Sequence, residues 1–228
     1  MTVDFRGMLR DAAEPDLAEF SSKLTPGKQG IIGVRVPVIR NIARQVVKDG
    51  WEQILDGEPE SFEEEMLRGV VIATAPVTAE ERISLTEDFL EYVDNWATCD
   101  IFCNSWKFRK GESDIVWDYF SSLIDSGQEY RMRVSIIARM SLFKDEEHCR
   151  ILLEDIATHD NPGYYYRMGA AWAVSMVYVD HPGIAEDLIR SGRMEAWTHN
   201  KSIQKIRESR RVPKEKKEEL GALRRTAP

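Results

Sequence analysis

Apolar residues recur at helical spacing through most of this 228-residue sequence, and helix-breaking residues interrupt them roughly every ten to twenty positions. The breaks include residues 25–30, 75–76 and 161–163, which combine proline with other turn-forming residues. We find no convincing strand. The spacing therefore predicts an all-α protein of about a dozen to fourteen helices, mostly consecutive antiparallel pairs joined by short turns.

Helix pairs of this kind are typical of an α-solenoid, in which each pair buries its apolar face against its neighbours. No linker is long or flexible enough to separate independent parts, so we predict one domain over residues 1–228. A solenoid curves, and its concave groove is the usual binding surface. The repeats are too divergent to give a consensus, so a compact all-helical domain is the structural alternative.

Several helix boundaries have a specific cause in the sequence. Pro37 suits the first turn of a helix, where its missing N–H costs nothing. Ser61 is a typical N-cap, and the glutamates at 63–65 then lie in a first turn, where the helix dipole favours negative charge. The stretch 93–100 is expected to lead into a helix that carries Ile101, Phe102, Trp106 and Phe108.

The charge of the chain is unevenly distributed. The formal net charge is −8, yet ten Lys or Arg residues and four Glu lie between His199 and Arg225. That segment is about +6, which leaves about −14 on the part before it. A basic end on an acidic body is consistent with a surface that faces a polyanion, and equally with a solvated terminal helix that carries ion pairs.

Composition argues against several other classes of protein. No stretch approaches eighteen consecutive apolar residues, and the acidic N-terminus lacks the layout of a signal peptide, so we predict a cytoplasmic protein without membrane contact. Three cysteines make a disulfide framework improbable. Cys99 and Cys103 would face one way on a helix, but two ligands do not complete a metal site, so we predict buried thiols and no metal.

A small set of polar and aromatic residues stands out from this background. Trp96 and Asp100 are four residues apart, which places both side chains on one face of a helix. Arg133, Trp172 and the tyrosines at 164–166 lie in helices that otherwise read as core. Each has an ordinary explanation, as a core aromatic, a paired surface cation or packing at a helix end. Together, on successive helix pairs, the two tryptophans, Asp100 and Arg133 could line a single groove.

The motifs resemble those of the AlkD-like family of DNA alkylation repair proteins, which are DNA glycosylases built from HEAT-like helical repeats. The similar stretches occur in the expected order across most of the chain: GVRVPVIRNIA (33–43), DNWATCD (94–100), YRMR (130–133), AW (171–172) and WTHNKSIQK (197–205). The part before Gly33 is short, which indicates a short-N-terminus branch of the family. The resemblance implies a single HEAT-like repeat domain with a concave groove.

The resemblance also implies roles for individual residues. Asp100 would stabilise the oxocarbenium ion that forms when a cationic alkylpurine leaves, and it would also orient the attacking water. Trp96 and Trp172 would flank the sugar and backbone, and these three form the predicted catalytic set. Arg133 would hold a phosphate. The predicted DNA-binding residues are Arg133, Tyr165, Arg167, Lys201, Lys205 and Arg211.

The resulting hypothesis is a monomeric enzyme that needs no cofactor and removes N3- or N7-alkylated purines from duplex DNA. Two other functions fit the same sequence. A non-catalytic scaffold would use the groove and the basic C-terminal helices to bind damaged or branched DNA, with salt-dependent affinity. A protein-binding solenoid would suit the acidic body.

Overall fold

A computed structural model describes residues 3–226, and this part of the chain contains thirteen α-helices, four short 3-10 turns and no strand. The all-α prediction is therefore confirmed. The chain divides into two compact units, one ending at Val116 and the other beginning at Trp117, so that the division falls within helix α7, Ser113–Ser122. Each unit is described by itself, and the single-domain solenoid stays a prediction. Within residues 3–226, no helix combines the length and apolar character that a membrane crossing requires.

The first unit is built around two adjacent helices, α3 and α4. Ile39, Ile42, Ala43 and Val46 recur at helical spacing and bury one face of α3. This face belongs to a core that α1 and α6 also enter. The helices of this unit that precede α7 are α1 Phe5–Asp11, α2 Pro15–Leu24, α3 Val36–Asp49, α4 Phe62–Thr74, α5 Ala79–Phe89 and α6 Trp96–Cys103.

The GVR motif has a structural role in this unit. The carboxylate of Glu63, a residue only 2% exposed, accepts the main-chain N–H groups of Ile32, Gly33 and Val34 at 3.0, 2.8 and 3.2 Å. The carbonyl of Gly33 in turn accepts the N–H of Glu14 at 2.9 Å. The first turn of α4 therefore supplies more than a favourable charge at a helix dipole, because Glu63 fixes the loop that leads into α3.

The second unit is centred on α10, Tyr164–Asp180, which packs between α8, Glu129–Leu142, and α12, Ala196–Glu208. Buried residues lie on most sides of α10, as its apolar composition predicts. The other helices of this unit after α7 are α9 Glu146–Thr158, α11 Pro182–Ser191 and α13 Lys214–Gly221.

One predicted helix is shorter than expected. The helix that was predicted to carry Trp106 and Phe108 ends at Cys103. The main-chain and side-chain N–H groups of Asn104 donate to one carbonyl of the last turn at 3.0 and 2.7 Å, and the hydroxyl of Ser105 donates to another at 2.6 Å. The hydroxyl of Ser105 takes the carbonyl of Ile101 that its own N–H would use in a continuing helix, and this N–H instead donates to the carbonyl of Phe102 at 3.0 Å. The helix α6 stops here, and Trp106 is buried in the loop that follows.

The C-terminal segment is held to α12 by a buried histidine. His199 is 2% exposed, and its Nε2–H donates to the carbonyl of Leu223 at 2.9 Å. Burial, together with the nearby charge of Arg225, holds the pKa of His199 below its ordinary value of 6.5. The unfolded chain therefore binds a proton more readily than the folded chain, so stability from this group is complete above about pH 6.5 and falls as the pH drops below it.

We expect His199→Gln to remove part of the acid sensitivity of the protein. Glutamine keeps an N–H donor but cannot be protonated. Between pH 7.5 and 5.5 the melting temperature of the wild type should fall more than that of the variant, and the protection factors for amide exchange in residues 222–226, which correct for the intrinsic pH dependence of exchange, should fall only in the wild type. Parallel declines for both proteins would show that His199 does not titrate in this range.

Candidate nucleic-acid interface

The DNWATCD stretch fixes the start of α6. The side chain of Asn95 accepts the N–H of Thr98 at 2.9 Å and donates to its hydroxyl at 2.9 Å, which caps the helix. Asp94 accepts a hydrogen bond from Lys28 at 2.8 Å. Burial disfavours the charged form of Asp94, but the hydrogen bonds from Lys28 and Asn95 hold its pKa below the usual range. These contacts tie the beginning of α6 to the loop after α2.

Trp96 and Asp100 both lie on α6, one turn apart, and both are partly exposed. The indole Nε1–H of Trp96 donates to the carbonyl of Leu24 at 3.0 Å, so the ring is oriented by a specific partner. Partial exposure excludes the interpretation of Trp96 as an ordinary core aromatic. An oriented indole and a carboxylate thus share one accessible face of a short helix.

A hollow of about 520 Å³ lies in the same unit, along α3 and the loop that follows α6. The described residues that line it include Arg40, Arg44 and Lys107 and no carboxylate. Arg40 donates to the hydroxyl of Ser105 at 2.8 Å, which orients its guanidinium. Asn104, which lies one turn beyond Asp100, also lines the hollow. The cations at this hollow form a local positive surface in an acidic protein, although sequence reasoning assigned none of them a role.

Arg133 belongs to α8 of the second unit, and its side chain packs against α10. It is only 4% exposed, so the interpretation of a paired surface cation is wrong. Its Nη1 donates to the carbonyl of Tyr165 at 2.6 Å. Gly169 makes room for the side chain, because a Cβ at this position would lie 3.2 Å from Arg133 Nη1.

Two predicted DNA-binding lysines of α12 belong to the same unit as Arg133. Partial burial lowers the pKa of Lys205; the charge of Glu208 opposes this shift, and the charges of Lys201 and Arg133 add to it. Lys201 and Lys205 lie one turn apart on α12, and neighbouring cations of this kind attract a polyanion.

The other predicted residues of the second unit have varied surroundings. Trp172 is partly exposed on α10 and is therefore not an ordinary core aromatic either. Arg167 is held by Asp160 at 2.8 Å, and this hydrogen bond raises the pKa of Arg167. Arg211 is exposed in the turn after α12, where it lies 3.7 Å from Asp180. DNA binding by Arg167 and Arg211 thus competes with carboxylates of the protein itself.

The last helix behaves differently from α12. On α13, Lys214 lies 3.8 Å from Glu218, and Lys216 lies 2.6 Å from Glu219, with all four side chains exposed. Exposed pairs of this kind contribute little to stability. For α13 the structure therefore favours the simpler interpretation, a solvated helix that carries ion pairs.

Comparison with known families decides the identity of the chain at the family level. Residues 5–203 match the model of the DNA alkylation repair enzyme family. The chain belongs to this family. Neither the curated proteins nor the solved structures contain a match. Membership confirms the resemblance and associates the DNA alkylation repair fold described above with a DNA substrate.

Sequence reasoning assigned no role to three aromatic residues of this DNA alkylation repair family member: Tyr130, Tyr164 and Trp197. With Tyr165 they form a row of neighbouring rings along the first turns of α8, α10 and α12. Tyr130, Tyr165 and Trp197 each occupy the second position of their helix. Their recurrence at intervals of about 32 to 35 residues is a sequence signal that could have revealed the row.

The candidate site residues are carboxylate, cationic and aromatic side chains, and the cysteines lie apart from them in the sequence or are buried. Cys99, Cys103 and Cys149 are buried free thiols, and burial raises the pKa of Cys149 to about 11. Within residues 3–226, no group of three or more His, Cys, Asp or Glu side chains is placed to hold a metal ion.

Proposed function

We propose that this protein hydrolyses the N-glycosidic bond of cationic N3- or N7-alkylpurines in duplex DNA. The observation that carries the proposal is the pairing of Trp96 with Asp100 on one accessible face of α6. Membership of the DNA alkylation repair enzyme family supplies the substrate class. The proposal includes the prediction that the helix pairs form one HEAT-like solenoid, which acts as a monomer and without a cofactor.

The proposed reaction suits a site without a strong general acid. Alkylation at N3 or N7 makes the purine cationic, so it leaves as a neutral base when the C1′–N bond breaks and its electron pair goes to the nitrogen. The deoxyribose then carries the positive charge as an oxocarbenium ion. Water adds to C1′ and loses a proton to solvent, which gives an abasic site and the free alkylated base.

The side chains of the proposed catalytic set act mainly through charge. Asp100 provides a fixed negative charge for the oxocarbenium ion and orients the attacking water, which is electrostatic preorganisation. The ring face of Trp96 stabilises the same cation through cation–π interaction. Trp172 of the second unit is the third member of the proposed catalytic set. The hydrogen bond from Trp96 to Leu24 supports this role, because it holds the indole before the substrate arrives.

The proposed DNA contacts are to phosphates and set register without reading sequence. Lys201 and Lys205 lie one turn apart on α12 of the second unit, and Arg133 of α8 is the third proposed phosphate contact. Arg40 and Lys107 of the first unit line the hollow beside Asn104 and would take a further phosphate. Tyr165, Arg167 and Arg211 complete the proposed DNA-binding set. These local cations offset the acidic net charge of the chain where DNA is bound.

A single-turnover excision assay tests the proposed reaction. Duplex DNA that carries N7-methylguanine is mixed with excess protein, and the free base is measured against the same duplex without protein. We expect release faster than the spontaneous loss. Release at the spontaneous rate, with DNA demonstrably bound, would rule out glycosylase activity on this lesion class.

A non-catalytic DNA-binding scaffold is the second candidate, favoured by Lys201 and Lys205, which lie one turn apart on α12. Charge reversal at Lys201, Lys205 or Arg211 should weaken duplex binding, and each lost phosphate contact should reduce the salt slope by about 0.9. Lys214→Glu on the solvated helix α13 is the matched control and should change both quantities less. Binding that is indifferent to salt and to these reversals would instead favour a protein partner.

A further inference from the structure

The row of aromatic rings on the second unit is continuous. Tyr130 stacks on Tyr165 with ring centroids 5.7 Å apart and an angle of 28° between the planes. Tyr165 meets Tyr164 edge-on at 5.2 Å, and Tyr164 meets Trp197 edge-on at 5.8 Å. Nζ of Lys201 lies 5.8 Å from the centroid of the Trp197 ring. Four rings and a cation thus follow one another along the first turns of α8, α10 and α12.

Packing within the protein leaves the rings of the row partly exposed. Tyr164 is 56% exposed although it is among the largest side chains of the unit, and Tyr130, Tyr165 and Trp197 are only partly buried. The adjacent Tyr166 shows the contrast, because it is 1% exposed and its hydroxyl donates to a main-chain carbonyl at 3.0 Å. Of three consecutive tyrosines, one belongs to the core and two present their rings at the surface.

The surroundings of the row include two cations. Trp197 lines a hollow of about 380 Å³ together with Lys201, Arg224 and one carboxylate, that of Glu195. Glu129 and Glu195 are close to the row, but their carboxylates accept main-chain N–H groups at the starts of α10 and α12. The carboxylates are therefore occupied by the helices, while Lys201 and Arg224 are available to an anion.

We propose that this row, with the hollow beside Trp197, binds unpaired nucleotides of a DNA strand by stacking. The bases of an intact duplex are covered by their neighbours, so only bases outside the stack can lie on protein rings. Every base has a π-face, so the row recognises single-stranded character without reading sequence. Lys201 and Arg224 contact the phosphates that follow the stacked bases. This inference rests on the proposed binding of DNA, but not on base excision.

Fluorescence anisotropy with two labelled DNAs tests the inference. One is a blunt duplex, and the other is the same duplex with a single-stranded extension of several thymidines. We expect the wild type to bind the extended DNA more tightly, by about tenfold for each base that stacks. Tyr164→Ala and Trp197→Ala should reduce this preference several-fold with little change for the blunt duplex, whereas Tyr164→Phe should retain it.

Matched variants separate stacking from charge and from folding. Ile151→Ala removes a similarly exposed apolar side chain from α9 and should leave the preference unchanged. Lys201→Ala should weaken binding to both DNAs. Equal affinity of the wild type for the two DNAs, or a preference that survives both ring deletions, would overturn the inference. Excision by Asp100 is measured on fully paired duplex, so failure of the proposed reaction would leave this result intact, and the reverse also holds.

Discussion

Asp100→Asn is expected to slow release of an N7-methylated purine by about 10²- to 10³-fold, the range found when one preorganised electrostatic group is removed from an active site. Asparagine has nearly the shape of aspartate, so α6 and its cap should be unchanged. What is lost is the negative charge that stabilises the oxocarbenium ion. The rate is measured in single turnover with protein in excess, so that weaker or tighter binding does not enter the comparison.

The Asp100→Asn test is specific because the excision rate should fall while DNA affinity stays equal or rises. Removal of any carboxylate from an acidic protein should strengthen its binding to DNA, because repulsion of phosphates falls. Asp88→Asn, an exposed position on α5 of the same unit, is the control for this general effect. We expect slower excision only for the Asp100 variant, with DNA affinity equal or higher. An Asp100 variant that excises as fast as the Asp88 control would remove Asp100 from the proposed catalytic set.

Gly33→Ala is expected to destabilise the first unit by about 3 kcal/mol or more, since two separate costs add. Gly33 has φ +84°, a left-handed conformation that disfavours any side chain. A Cβ would also lie 2.2 Å from the carbonyl oxygen of Glu14 and 2.6 Å from the N of Ala18. Main-chain atoms cannot move aside as a side chain can, so the loop that Glu63 holds must shift. Urea denaturation followed by circular dichroism measures the change.

Gly27→Ala separates the two costs of that substitution. Gly27 has φ +88°, almost the value of Gly33, but a Cβ there meets nothing within 4 Å. Its replacement should therefore cost only the backbone strain, about 1 kcal/mol. If both variants were destabilised equally, the close approach of Gly33 to α2 would contribute nothing. The difference between the two variants in free energy of unfolding measures the steric cost of a Cβ at the GVR motif.

The helical elements follow well from the sequence because their causes are local. Pro37 in the first turn of α3 and the cap at Ser61 lie where their chemistry predicts. The end of α6 was missed because Phe102 and Trp106 keep helical spacing beyond the true end. Spacing measures only the apolar pattern, whereas Asn104 and Ser105 end the helix by satisfying its carbonyls.

Fewer features of the candidate site can be predicted from the sequence. Trp96 and Asp100 share one helix, so their common face follows from spacing alone. The burial of Arg133 depends on Gly169 of a different helix, and the row of rings depends on α8, α10 and α12 being neighbours although they are not consecutive. Local periodicity carries no information on which helices meet. These features therefore required the tertiary structure.

The cap at Asn95 has a consequence for how α6 tolerates change. Because the cap fixes which residue begins the helix, it also fixes the rotational phase of every side chain that follows. Each residue of an α-helix turns by about 100°, so one inserted residue between Trp96 and Asp100 would point the carboxylate well away from the indole. Substitutions within 97–99 preserve this phase, whereas insertions and deletions cannot. The cap at Asn95 therefore determines the direction in which each side chain of α6 points.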